Sequence, residues 1–411
     1  MAGADTLPQE IRSRVAELGS ADLVVAFTAA GVGANGGRGV LARAGEVVGQ
    51  LASGATTVVV HSAAATSGDD ATAGSVRLLA FPAGVADQVP RLGLDAGQTY
   101  RTVFTVSQAL GARTCLVIGS DPSELSPQAL RGLAQPVLEG SADLVTPVYR
   151  RGRYEGLLIA AVVAPLFRAL YGYRLRFPIG GDFGLSATLV SRCLRPTATA
   201  RGEPIWLTSE AACAGMQLAQ AQLGVAFPAQ REPTDASTVL AAVLGPVFQD
   251  VANRAPCWQR SRESRSVSTV GPLSQSSSEG TAPDTARMIE SFRIGYANLQ
   301  DVWRSFLPPA TLLDLKRLTT FGPDAFRMGD ELWARIVYDF ALAYRLGTIN
   351  REHVLGALTP VYLAWIASYT REAHGASEPV LGARMDRLGA AYESQKPYFV
   401  SRWRWPDRFN P

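Results

Sequence analysis

The sequence predicts an α/β fold, in which a mostly parallel sheet covered by helices is followed by a helical C-terminal domain. Between residues 23 and 146, short β-rich runs alternate with segments of helical spacing. This order is typical of a parallel sheet with helices on both faces. Beyond residue 286, apolar residues instead recur at spacings of three and four, which indicates helices packed against one another.

The first half of the chain predicts these elements in order. An amphipathic segment at residues 8–18 indicates a helix with Pro8 in its first turn. Strands are predicted at residues 23–27, 56–61, 76–81, 114–118 and 143–146. Helices are predicted between them at residues 38–51 and 99–110. Ligands of such sheets bind at the carboxyl ends of strands, and Asp121 lies three residues past one of these ends.

The composition changes near Trp258. Residues 259–285 are dense in Ser, Arg, Gly and Pro and lack apolar periodicity, which is typical of a flexible linker or a surface loop. Three helices are predicted beyond it, at residues 288–306, 332–344 and 354–367. The predicted domains are therefore a sheet domain at 1–258, a linker or loop at 259–285 and a helical domain at 286–411.

Length and charge exclude several classes of protein. The chain has 411 residues, of which 47% are hydrophobic, and a net charge of +3, so we expect two globular domains and no nucleic-acid partner. The first lysine is Lys316, which excludes a P-loop before it. The four cysteines lack metal-ligand spacing. We expect no membrane span and a cytoplasmic location, because the apolar runs are short and residues 1–20 lack a signal-peptide pattern.

Two acidic segments are candidates for chemistry. In Gly180-Gly181-Asp182 the glycines allow the backbone to approach a ligand, and the carboxylate can bond sugar hydroxyls. A tight turn before a helix near Ser186 is the alternative. Asp121 can hold a divalent cation that is shared with phosphates. A helix N-cap or a turn residue is the alternative for Asp121, and both interpretations stay open.

Three further residues are weaker candidates. Trp206 offers an aromatic face to a sugar or a base, and Glu210 adds an acid four residues later. A core tryptophan and an exposed glutamate are the alternative. Arg153 belongs to the cluster Arg150-Arg151-Gly152-Arg153, which can meet a diphosphate through bidentate hydrogen bonds or form a solvated rim.

These segments resemble the glucosylglycerate and mannosylglycerate synthases, which are retaining glycosyltransferases of the GT-A fold with a helical C-terminal domain. The resemblance covers nearly the whole chain and is strongest at residues 142–147, 170–186 and 330–344. It implies transfer of a hexose from a nucleoside-diphosphate sugar to a small acceptor such as glycerate. It also implies roles for the candidate residues: catalysis by Asp182 and Glu210, substrate binding by Gly180, Gly181, Arg153 and Trp206, and binding of Mg²⁺ or Mn²⁺ by Asp121.

The chain departs from the family where the family performs its chemistry. Gly119 stands where an Asp-Ser-Asp metal motif begins, and Phe227 stands for a metal-binding histidine. The donor loop, the nucleotide-binding turn and a Gly-Lys-Gly phosphate stretch are replaced at residues 28–30, 62–65 and 96–99. Two other hypotheses follow. One is a catalytically silent homologue without a cofactor, which binds, scaffolds or regulates a paralogue or a second copy of itself. The other is a metal-independent enzyme that uses arginines such as Arg153.

Overall fold

The structure is a computed structural model that describes residues 7–28, 56–63, 76–82, 97–121, 124–195, 204–227, 235–271 and 281–406. Its strands are β1 (Leu23–Phe27), β2 (Thr57–Ala63), β3 (Val76–Pro82), β4 (Thr114–Ile118), β5 (Leu144–Arg150), β6 (Tyr173–Arg174), β7 (Phe183–Ser186), β8 (Leu218–Ala226), β9 (Arg265–Ser266) and β10 (Ser268–Val270). Its helices are α1 (Gln9–Leu18), α2 (Gly97–Ala109), α3 (Pro127–Leu138), α4 (Ala164–Tyr171), α5 (Ala187–Cys193), α6 (Pro204–Cys213), α7 (Ala236–Asn253), α8 (Ala255–Trp258), α9 (Thr285–Arg304), α10 (Pro309–Thr320), α11 (Asp330–Leu346), α12 (Arg351–Ala373) and α13 (Glu378–Arg404).

The chain divides into two compact units, and each is assembled from three segments. The first unit comprises Met1–Arg150, Phe177–Gln230 and Val267–Gln275. The second unit comprises Arg151–Arg176, Arg231–Ser266 and Ser276–Pro411. The predicted linker therefore contributes two short strands, β9 to the second unit and β10 to the first.

The first unit contains an eight-stranded sheet in the order β10-β8-β5-β7-β4-β1-β2-β3. Every strand pair in it is parallel except the two that β7 makes, with β4 and with β5. All five residues of β1 and of β4 are buried, as expected for strands covered on both faces. The predicted α/β class with a mostly parallel sheet is confirmed.

The strand order reverses beside β1. The chain passes from β1 to β2 and β3 on one side and then returns to β4 on the other side. The backbone N of Thr28 donates to the carbonyl O of Ile118 at 2.8 Å, so β1 and β4 stay paired up to their last residues. In open α/β sheets, ligands bind outside the carboxyl ends of the strands at such a reversal, which is called the switch point.

Most predicted elements of the first unit are present. The strands at residues 23–27 and 114–118 have the predicted bounds, whereas β5 continues to Arg150. The predicted helix at 99–110 corresponds to α2, and the predicted helix at 38–51 lies outside the described residues. The strands β7, β8 and β10 were not predicted.

The second unit is largely helical, which confirms the predicted helical C-terminal region. The predicted helices correspond to α9, α11 and α12, and the structure adds α10 and α13. Its core is rich in aromatic rings: Trp333 stacks on Trp365 with centroids 6.0 Å apart, and Trp258 stacks on Phe399 at 5.0 Å. A π-helical segment, Ile159–Val163, leads into α4. None of the described helices combines the length and hydropathy that are needed to cross a bilayer.

Candidate functional site

The turn Gly180-Gly181-Asp182 lies at the carboxyl ends of β4 and β5. Because β7 runs antiparallel between these two strands, its first residue lies beside the last residues of β4, and Phe183 pairs with Val117. Asp182 comes directly before β7 and is fully buried. The insertion of β7 therefore brings together two segments that are about sixty residues apart in the sequence.

Four hydrogen bonds converge on the carboxylate of Asp182. The backbone N atoms of Gly119 and Ser120 donate to Oδ1 at 3.1 and 3.0 Å. The hydroxyls of Ser120 and Tyr149 donate to Oδ2 at 2.7 and 2.6 Å. Gly119 and Ser120 follow β4, whereas Tyr149 belongs to β5. The carboxylate thus joins the ends of two strands through neutral donors.

Burial dominates the electrostatics of this group. It raises the pKa of Asp182, while the hydrogen bonds from Tyr149, Ser120 and Gly119 lower it because they stabilise the charged carboxylate. Burial also raises the pKa of Tyr149 well above its ordinary value, and the charge of Asp182 adds to this effect. Tyr149 therefore keeps its proton and donates a hydrogen bond to Asp182. The same hydroxyl oxygen accepts a hydrogen bond from the backbone N of Gly181 at 3.0 Å.

The glycines at this place are required by close packing. A Cβ atom at position 119 would lie 2.9 Å from both the Cα and the carbonyl O of Gly181. A Cβ atom at position 180 would lie 2.7 Å from Cγ of Pro147 and 3.1 Å from the hydroxyl O of Tyr149. A side chain at position 119 therefore requires the backbone to move. This close contact is the physical reason for a glycine at position 119.

Asp121 lies two residues past Gly119 and is partly exposed. Its carbonyl O accepts a hydrogen bond from the backbone N of Glu124 at 3.0 Å. Within the described ranges, no group of three or more His, Cys, Asp or Glu side chains is placed to hold a metal ion. Since Gly119 has no side chain and both oxygens of Asp182 accept hydrogen bonds, the described residues do not fit a divalent cation held by a pair of carboxylates.

Phe227 follows β8 and belongs to an aromatic cluster. Its ring stacks on Phe177 with centroids 5.6 Å apart and meets Tyr149 edge-on at 6.0 Å. Phe177 also meets Tyr149 edge-on, at 5.2 Å. The position at which the resemblance implies a histidine thus packs against the tyrosine that bonds Asp182.

The first turns of α6 carry the other two candidates of the first unit. Trp206 is buried, and its Nε1 has no hydrogen-bond partner among the described residues. Glu210 is also buried and forms an ion pair with Nε of Arg192, so it is not the exposed glutamate of the alternative interpretation. Thr208 donates to the carbonyl O of Pro178 at 2.8 Å, which ties α6 to the segment before the glycine turn.

Arg153 lies in the second unit. Its guanidinium donates to the carbonyl O atoms of Ala373 at 2.6 Å and Ala376 at 2.8 Å. These bonds hold the segment after α12. A contact between Arg153 and a diphosphate stays a prediction, as does a direct contact between Asp182 and a sugar.

Sequence reasoning missed Tyr149 and the hydroxyl of Ser120. Ser120 lies inside the acidic segment, but its hydroxyl was not a predicted site group because carboxylates are the usual cation ligands. Tyr149 gives no signal in the sequence, since its contact with Asp182 depends on the unpredicted position of β7.

Comparisons with known proteins do not assign this chain to a family. No family model matches the chain, and no curated protein matches it. Among solved structures, the chain is similar to glucosyl-3-phosphoglycerate synthase from Mycobacterium tuberculosis in complex with phosphoglyceric acid. The two share 18% identity with a TM-score of 0.35, over 59% of this chain and 84% of the other. A TM-score this low carries no argument, so the proposals below rest on the topology and residues described above.

Proposed function

We propose that this chain is a glycosyltransferase of the GT-A type that transfers a hexose from a nucleoside-diphosphate sugar to a small acceptor such as glycerate. The observation that carries the proposal is the bonding of Asp182 to Gly119 and Ser120. It joins the two acidic segments singled out in the sequence at the switch point of a mostly parallel sheet. A nucleotide ligand of such a sheet is expected at this place.

The proposed reaction needs no protein nucleophile. The bond between the anomeric carbon and the diphosphate oxygen breaks, and the acceptor oxygen bonds to the same face of that carbon. The proton of the acceptor hydroxyl passes to the departing diphosphate oxygen. In this proposal Glu210, which is paired with Arg192, orients the acceptor.

The negative charge of the leaving diphosphate has to be stabilised during the transfer. When bound, Mg²⁺ or Mn²⁺ would supply electrostatic stabilisation of the diphosphate. Since the described residues do not fit a pair of carboxylate ligands, no step of the proposal depends on a cation. Preorganised hydrogen-bond donors of a protein supply the same kind of stabilisation.

Turnover of the full chain tests the proposal. UDP-, GDP- and ADP-linked glucose and mannose would be supplied with glycerate, and release of the nucleoside diphosphate and the glycosylated product would be followed by mass spectrometry. We expect acceptor-dependent release with at least one donor. Glu210→Gln should lower this release, whereas Glu124→Gln, a substitution at an exposed side chain, should leave it unchanged.

Two negative outcomes have different meanings. Binding of a donor by calorimetry without turnover would favour the catalytically silent homologue, and light scattering with a paralogue would then test its role as a partner. No donor binding at millimolar concentration would contradict the proposed function itself.

A further inference from the structure

The carboxylate of Asp182 has an unusual position for a group expected to contact substrate. It is fully buried, and its two oxygens accept four hydrogen bonds from residues at the ends of β4 and β5. Burying a carboxylate is costly unless hydrogen bonds compensate for the lost water. Among the described residues, the compensation comes from the loop after β4 and from Tyr149. The position of that loop and the hydrogen bonding of the buried carboxylate therefore depend on each other.

The contact between Gly119 and Gly181 adds a second constraint. The backbones approach so closely that a Cβ atom on Gly119 would lie 2.9 Å from Gly181. The backbone N of Gly181 donates in turn to the hydroxyl of Tyr149 at 3.0 Å. The segment that leads into Asp121 is thus held by hydrogen bonds to Asp182 and by direct packing on the glycine turn.

We propose that Asp182 is a positioning residue that fixes the backbone at Asp121 through Gly119, Ser120 and Tyr149, in the role that a protein-held divalent cation would otherwise fill. A cation gathers ligands from several strands around a positive centre. Asp182 gathers N–H and O–H donors from two strands around a negative centre. The expected effect on nucleotide-sugar affinity rests on the proposed function. The claim that Asp182 fixes the position of the loop does not.

The substitution Asp182→Asn separates this role from simple packing. An asparagine has the same shape, and its Oδ1 can still accept from Gly119 and Ser120. Its NH₂ group cannot accept from the hydroxyls of Ser120 and Tyr149, so the buried hydroxyl of Tyr149 and the partly exposed hydroxyl of Ser120 lose their acceptor. We expect the affinity for a nucleotide sugar that binds beside this loop to fall by about 10- to 100-fold.

Asp143 offers a matched control. It is also an aspartate of the first unit that holds two segments together, accepting from Oγ of Ser186 at 2.9 Å and from the backbone N of Gln217 at 3.1 Å. It comes directly before β5, at the amino end of that strand, whereas Asp182 lies at the carboxyl ends of β4 and β5. Asp143→Asn should lower the melting temperature and leave the affinity for nucleotide sugars unchanged.

The test measures binding and local exchange on the full-length chain. UDP-glucose and GDP-mannose would be titrated by calorimetry into the wild type, Asp182→Asn and Asp143→Asn, with EDTA and with Mg²⁺. We expect the wild-type affinity to change less than twofold on chelation and to fall only in Asp182→Asn. Hydrogen exchange of the peptide with Gly119 and Ser120 should accelerate in Asp182→Asn and not in Asp143→Asn.

The outcomes separate this inference from the proposed function. Binding that EDTA abolishes and Mg²⁺ restores would overturn the inference while supporting the function. An Asp182→Asn variant that binds as tightly as the wild type and exchanges at the same rate would also overturn it. If no nucleotide sugar binds the wild type, the function fails, and hydrogen exchange alone decides whether Asp182 positions the loop. Should Asp182→Asn not fold, Ser120→Ala, which removes one donor, replaces it in the same comparison.

Discussion

The hydroxyl oxygen of Tyr149 lies 2.6 Å from Oδ2 of Asp182, and this bond connects β5 with the turn before β7. Through Asp182 the connection continues to Gly119 and Ser120 after β4. The carboxyl ends of β4 and β5 are therefore held together by a buried carboxylate, and the acidic loop at Asp121 starts from this junction.

The hydroxyl of Tyr149 is the first element to test. Tyr149→Phe removes the donor to Asp182 and the acceptor of the N–H of Gly181, so buried polar groups lose their partners. We expect the free energy of unfolding to fall by about 1–3 kcal/mol in urea denaturation. Tyr362→Phe is the control, because Tyr362 is also buried and its hydroxyl makes no hydrogen bond among the described residues. Equal stability changes in the two variants would contradict the arrangement at Asp182.

The close contact of Gly119 with Gly181 predicts a cost for the smallest side chain. Gly119→Ala forces two backbone segments apart, and such overpacking lowers stability by about 1–3 kcal/mol. At Gly132, in α3, an added Cβ atom would meet Cβ of Ala221 at an ordinary 3.4 Å. Gly132→Ala should therefore be neutral or stabilising, as alanine favours helices. Chemical denaturation of both variants measures their free energies of unfolding. An unchanged value for Gly119→Ala would show that the two backbone segments can separate without cost.

The packing of Trp258 tests where the helical unit begins. Trp258 is fully buried, stacks on Phe399 and meets Trp403 edge-on with centroids 5.1 Å apart. Trp258→Ala should lower the free energy of unfolding by about 3–5 kcal/mol. Trp405 is 63% exposed, so Trp405→Ala should change it by less than about 0.5 kcal/mol. A small effect at Trp258 would favour the sequence-based boundary, which placed this residue at the end of the sheet domain.

The buried amine of Lys396 predicts a pH dependence of stability. Its Nζ donates to the carbonyl O atoms of Ser261 at 2.6 Å and Leu170 at 3.3 Å. Burial lowers the pKa of Lys396 to about 8, and the charge of Glu393 opposes this shift. Between about pH 8 and the ordinary pKa of 10.5, the unfolded chain binds a proton that the folded chain has released. The contribution of Lys396 to stability therefore rises with pH across this window and is lost as the pH falls through 8.

Comparison with Lys396→Met isolates this effect from other titrating groups. The difference in free energy of unfolding between wild type and variant should rise between about pH 8 and 10 by at most about 1.4 kcal/mol per pH unit. Denaturant titrations at several pH values measure it. A difference that stays constant over this range would show that Lys396 remains protonated in the folded chain.

The elements that the sequence predicted well are those whose own residues determine them. The strands β1 and β4 are apolar runs that are buried throughout, and their bounds were predicted correctly. The strand β7 has only four residues, and its Gly184 is needed because a Cβ atom there would lie 2.1 Å from the carbonyl O of Leu133. That requirement comes from a distant helix, and no local pattern reveals it.

The helix α13 was missed for a different reason. Its buried positions include the charged residues Arg384, Lys396 and Arg402, so its apolar pattern is weak. The partners that make such burial acceptable lie elsewhere in the second unit: Arg384 pairs with Asp330, and Arg402 pairs with Asp339. Ion pairs between distant segments cannot be deduced from spacing along one helix.

The candidate site was predicted in part. The sequence singled out Asp121 and the Gly180-Gly181-Asp182 turn, and the structure places these segments together at the switch point. It could not show that Asp182 faces donors of the chain itself, because this depends on β7 lying between β4 and β5. The reason for glycine at position 119 likewise appears only when its distance to Gly181 is known.

Hydrogen exchange with a bound donor tests the central claim most directly. The full-length chain would be incubated with saturating UDP-glucose or GDP-mannose, and exchange would be compared with that of the free chain. We predict that exchange slows in peptides containing Thr28, Gly119–Asp121 and Gly180–Asp182 at the switch point. Exchange should not change in the peptide with Asp143, which lies at the amino end of β5. Protection confined to other regions, or none with either donor, would contradict the assignment of a nucleotide-sugar site to this end of the sheet.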